Sequence, residues 1–137
     1  MTEINQFRQA MTSSTKLMRE GLNEQALGLL DEAIAEAVNR RDALWIRVLC
    51  RRASVVANFM GNFQLERQYH EQSLAVSPED PLALYGLAKV ALNLGELEVA
   101  QQHAKKCYEA ILRSDDEIVK QGLTDLVLKN WPEVARK

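Results

Sequence analysis

Three glycines recur in one setting along this 137-residue chain: Gly21, Gly61 and Gly95 each end an amphipathic stretch and precede another within two residues. Glycine closes a helix at low cost because it enters the left-handed backbone region without a Cβ clash. A chain punctuated this way folds as short helices that double back on one another. Asn23 and Asn62, just beyond two of the glycines, are expected to cap the helices that follow.

The surrounding residues align on the same frame. Ser14, Ser54 and Ala88 precede the glycines by seven positions, Ala26, Glu66 and Ala100 follow by five, and Ala33, Ser73 and Cys107 follow by twelve. Eight of these nine are Ala, Ser or Cys, small enough to let two helices approach closely. Beside them stand Ile34, Leu74 and Tyr108 thirteen after, and Leu17, Ala57 and Ala91 four before. Small residues flanked by larger apolar ones describe antiparallel helix pairs, packed tightly and stacked pair on pair.

Gly61 and Gly95 are 34 residues apart, the period of the tetratricopeptide repeat (TPR). The stretch Phe63 to Leu97 resembles that family: it carries Ser73-Leu74 with Pro78 four residues on, then Leu84, Leu87, Ala88, Gly95-Glu96-Leu97, and Ala100 just beyond. Asp80-Pro81 reads as an N-cap followed by proline at the first helical position. The resemblance covers about residues 4–113 and is weaker in the first repeat. It implies an all-α fold, a right-handed α-solenoid of about seven helices in one domain over 1–137, with repeats at about 4–41, 42–79 and 80–113.

Two departures stand out. Gly21 and Gly61 are 40 residues apart, six more than the family period, with the extra residues expected around Asn39 to Ile46 and longer helices on either side. Glu66 stands where a small residue is expected, predicting loose packing or a tilt in the second pair. After the third repeat, Ser114-Asp115-Asp116-Glu117 reads as a capping box with Ser114 as the cap. The capping helix it opens, about 115–131, sets Ile118, Gly122 and Leu126 on one face with Val119, Leu123 and Val127 beside them, and Trp131-Pro132 stops it.

No arrangement of residues suggests chemistry. The six glycines form no phosphate loop, His70-Glu71 lacks the second histidine of a zinc-protease motif, and the two His and two Cys are spread over three helical segments. His103 one turn before Cys107 suggests an activated thiolate, but Cys107 holds a small packing position, so core is the expected role. Asp115-Asp116-Glu117 reads as a solvated helix start before it reads as a cation site. The expectation is a non-enzymatic protein with no cofactor and no metal. A net charge of −2 argues against a nucleic-acid binder. Met1-Thr2-Glu3-Ile4-Asn5 lacks the features of a signal peptide, no apolar run approaches a membrane span, and Cys50 and Cys107 read as buried reduced thiols, so the cytoplasm is expected.

The resemblance implies that the first helix of each pair lines a concave groove that holds a peptide or partner helix. Spacing from the glycines nominates Arg8, Met11, Thr15 and Met18, then Val48, Arg51, Val55 and Asn58, then Leu82, Tyr85, Lys89 and Leu92. These inner segments carry a net charge of about +5, from Arg8, Lys16, Arg19, Arg47, Arg51, Arg52 and Lys89 against Glu20 and Asp42, while the outer ones sum to about −3. An acidic segment with apolar anchors suits that arrangement, with chance placement of solvated charges as the bland alternative. The carboxylate clamp known in this family is disfavoured: Leu82 and Gly86 stand where its basic residues belong, and Thr15 where an Asn belongs. The expected function is a protein-binding adaptor, or co-chaperone-like module. A scaffold that self-associates through the long helices, Trp45 or the C-terminal helix is the alternative.

Overall fold

The computed structural model describes residues 3–135, with side chains from residue 5 onward. The reading of the N-terminus as no signal peptide rests partly on Met1 and Thr2, outside the described residues. Among those described there are seven α-helices, one closing 3-10 turn and no strand. The helices are α1 (Glu3–Arg19), α2 (Asn23–Asn39), α3 (Ala43–Phe59), α4 (Phe63–Val76), α5 (Pro81–Asn93), α6 (Leu97–Arg113) and α7 (Glu117–Asn130), followed by the turn Pro132–Ala135. None is long and apolar enough to cross a membrane.

Each of the three glycines is left-handed, with φ of 79°, 75° and 77° at Gly21, Gly61 and Gly95. A fourth closure lies at Arg41, φ 54°, the one non-glycine with positive φ among the described residues. All four close alike: the N–H of the next residue reaches back five positions, Leu22 to the Leu17 carbonyl, Asp42 to Ala37, Asn62 to Ala57 and Glu96 to Ala91, at 2.8–3.0 Å. This is the Schellman motif, which satisfies carbonyls at the end of one helix. The residue that donates is also the N-cap of the next helix, so a single position joins both ends.

That register corrects two expectations. Asn23 is the first residue of α2 and does not cap it; Leu22 holds the cap position and offers no side-chain acceptor. Asn62, one residue nearer its glycine, does cap α4 through its side chain, to the Leu65 N–H at 3.1 Å. Asp42 caps α3 in the same way, at 3.2 Å to the Trp45 N–H. At α7 the cap is Asp116, whose carboxylate accepts from the N–H groups of Ile118 and Val119 at 3.0 and 3.1 Å. Ser114 sits two residues outside, accepting from the Asp116 N–H at 3.1 Å. Asp80 and Pro81 open α5 as expected. The widened first interval appears as length: α2 and α3 have 17 residues each, against 14 in α4 and 13 in α5.

The chain forms two compact units, Met1–Ser77 and Pro78–Lys137. In the first, α1 packs on α2, α2 on α3, α3 on α4, and α1 on α3. Its core includes Phe7, Leu30, Ile34, Leu49, Cys50, Val56 and Tyr69, with Trp45 partly buried against it. The Phe7 and Trp45 ring centroids are 5.4 Å apart, an aromatic contact of the kind that adds to simple burial. The Tyr69 hydroxyl donates to Asp31 at 2.7 Å, joining α4 to α2. In the second unit α5 packs on α6, α7 packs on both, and the Pro132–Ala135 turn packs on α6 and α7. Leu84, Leu87, Val90, Ile111, Leu123, Val127 and Trp131 are buried there.

Of the nine positions aligned on the glycines, eight are buried and Ala33 is half-buried. Buried Ser14 and Ser54 donate to carbonyls one turn back, at 3.0 and 2.6 Å, so their hydroxyls are satisfied. Glu66 is buried yet well partnered: Asn58 donates to one carboxylate oxygen at 3.0 Å, and His70 lies 3.1 Å from the other. This small polar cluster occupies the place of the expected small residue.

Candidate functional site

In the first unit α1 and α3 lie side by side, and their contact leaves an open cleft of about 510 Å³ lined by Met11, Thr12, Thr15, Lys16, Arg19 and Arg52. Successive turns of α1 supply its wall, since Thr12, Lys16 and Arg19 recur at helical spacing. The apolar part comes from Met11, whose flexible thioether adapts to irregular partners. Lys16 and Arg19 are exposed in the last turn of α1, where cations also suit the helix dipole. Arg52 is half-buried, and its Nε is fully buried with no hydrogen-bond partner. Among the described residues none of these three cations has an ion-pair partner. Three cations around one cleft with no carboxylate to neutralise them attract anions.

All twelve residues nominated from the sequence are exposed or half-buried. Met11 and Thr15 line the cleft. Arg8 is exposed on α1, and Met18 packs against the core of its unit. On α3, Val48 is half-buried while Arg51, Val55 and Asn58 are exposed, and Asn58 is tied to Glu66. Leu82, Tyr85, Lys89 and Leu92 are half-buried on α5, in the second unit. Burial raises the Tyr85 phenol above its ordinary range.

Spacing from the glycines did not nominate Thr12, Lys16, Arg19 or Arg52. Each lies next to a nominated residue or one turn from it, so the fixed offset from the glycine was about one residue out of phase. The signal was present as excess positive charge: Lys16 and Arg19 close α1 with Glu20 alone beside them.

A second cleft, about 520 Å³, opens between α1 and α2. Of its charges Glu36 is already paired with Arg40 at 2.7 Å, so its electrostatic pull is weaker. Neither cysteine is poised for chemistry. Both are free and buried, and burial, aided by the carboxylates of Asp31 and Asp80 respectively, pushes each thiol from 9.0 up to about 12. The Cys107 thiol donates to the Pro81 carbonyl at 3.3 Å. No cluster of three or more His, Cys, Asp or Glu side chains able to hold a metal occurs among the described residues.

Solved structures place the architecture. The TPR domain of Arabidopsis FLU superposes with a TM-score of 0.70 at 18% identity, over 82% of this chain and 100% of that one. The fold is that of a tetratricopeptide-repeat protein. The Yersinia enterocolitica type III secretion translocator chaperone SycD, solved as an alternative dimer, also superposes, with a TM-score of 0.74 at 16% identity over 96% of this chain and 92% of that one. No family model and no curated protein matches the sequence. The TPR frame accounts for the small residues buried between paired helices and for the helix closures at 21, 61 and 95.

Proposed function

We propose that this chain is a non-enzymatic protein-binding module, cytoplasmic and acting as one domain over 1–137, that holds an acidic partner segment against the α1–α3 face. The carrying observation is the cleft with three unneutralised cations, Lys16, Arg19 and Arg52, beside the apolar Met11. An acidic segment would pair its carboxylates with the guanidinium groups, which favour bidentate contacts, and rest an apolar side chain on Met11. The exposed nominated residues Arg8, Arg51 and Val55 extend the surface beyond the cleft. The resemblance to a chaperone and to a TPR domain supports a binding role in general. A fold supplies a surface and leaves the partner to the site's chemistry.

The test uses amphipathic peptides of equal length and apolar content, one acidic and one basic, titrated against the protein by fluorescence anisotropy. The acidic peptide should bind, and weaken as salt rises, because exposed charges are screened. Lys16→Glu/Arg19→Glu should weaken it at least tenfold while circular dichroism stays unchanged. Equal binding of both peptides, or no effect of the double substitution, would refute this reading.

A further inference from the structure

The outer face of α7 has a composition that nothing inside the chain explains. Leu123 and Val127 point inward and are buried, which turns Ile118, Gly122 and Leu126 outward at a spacing of four. Ile118 is 85% exposed, the most of any large apolar side chain described, and Leu126 is 44% exposed. Gly122 weakens the middle of the helix by about 1 kcal/mol relative to alanine, yet a Cβ there would meet nothing within 4 Å. Intramolecular packing therefore gives no reason for glycine. Close approach of another helix does, since a missing side chain lets two helix backbones cross at short distance.

Charge indicates which helix. Asp115 lies just before α7 and Lys129 near its end, seven residues to either side of Gly122, and neither has an ion-pair partner among the described residues. We propose that α7 pairs antiparallel with α7 of a second copy, about a twofold axis at Gly122. A twofold contact is self-complementary: residue i meets j and j meets i. Ile118 then faces the partner's Leu126, and Asp115 the partner's Lys129, each contact made twice. A parallel pairing sets Asp115 against Asp115 and Lys129 against Lys129, so repulsion selects the antiparallel register. One pair of short helices buries less than the ~800 Å² per partner of a typical stable interface. The dimer is accordingly concentration-dependent. The inference is independent of the acidic-segment reading, because no cleft residue lies on α7.

Sedimentation equilibrium across a wide concentration range tests it on the full chain. The apparent mass of the parent should rise from 15.5 kDa toward twice that value. Ile118→Glu should raise the dissociation constant at least tenfold; the site is solvent-facing in the first turn, where an acid suits the helix dipole, and circular dichroism verifies the fold. Lys129→Asp should weaken the dimer, and the swap Asp115→Lys/Lys129→Asp should restore it. A monomer at every concentration overturns the proposal, as does association indifferent to Ile118→Glu. Failure of the swap to restore association overturns the antiparallel register, and growth beyond dimers overturns the twofold.

Discussion

At the scale of single residues the left-handed closures carry most of the chain's punctuation. Gly21, Gly61 and Gly95 have open space where a Cβ would stand, so any substitution cost there is backbone cost alone. Gly21→Ala should lower stability by about 1 kcal/mol, read as a drop in urea midpoint. Arg41 adopts the same region with a side chain, so Arg41→Gly should raise stability by up to about 1 kcal/mol, the relief of strain being partly offset by a more flexible unfolded chain. A neutral Gly21→Ala would contradict the assignment. The buried Glu66 shows the opposite economy: an ionisable group in a tight site is tolerated because Asn58 and His70 both meet its carboxylate, as buried polar groups require.

At the scale of helices, the cap of α7 is a direct test of the register. Asp116→Ala should cost about 1 kcal/mol, with Ser114→Ala well below it, because Asp116 holds two helix N–H groups and Ser114 holds none within the helix. Equal losses in thermal or urea melts would return the cap to Ser114. Much of the helix layout was legible in the sequence, since small residues and glycines at fixed offsets mark close packing and chain reversal. Arg41 was not legible, because a left-handed arginine carries no sequence mark. It lies 20 residues from both Gly21 and Gly61, and that midpoint was the available clue. The cap at Asp116 was missed by two positions because several polar residues cluster there and only the hydrogen-bond geometry selects among them; at α2 the cap position falls on apolar Leu22, which no capping preference marks. The candidate site was legible as a basic, partly apolar face. Its cleft was not, because which cation turns toward α3 depends on helix phase that a fixed offset does not resolve.

At the scale of the whole molecule, the two compact units raise the question of cooperativity that a single-domain reading answers. The chain has two tryptophans, Trp45 in the first unit and Trp131 in the second. Trp131→Phe and Trp45→Phe variants therefore report one unit each. A single domain predicts that, corrected for each variant's own stability by circular dichroism, both fluorescence transitions coincide with loss of helix. Separated transitions would make the units independent. Nearest-neighbour stacking in helical repeats makes this informative, because stability there is a sum of units and interfaces.

Recognition of an acidic segment by the α1–α3 face is read residue by residue in backbone amide NMR of the labelled protein titrated with an acidic amphipathic peptide. Shift changes should concentrate at Met11, Thr12, Thr15, Lys16, Arg19 and Arg52, fade with added salt and be absent in Lys16→Glu/Arg19→Glu. Shifts spread over α2 and α4, or centred on α7, with the cleft unperturbed, would contradict it.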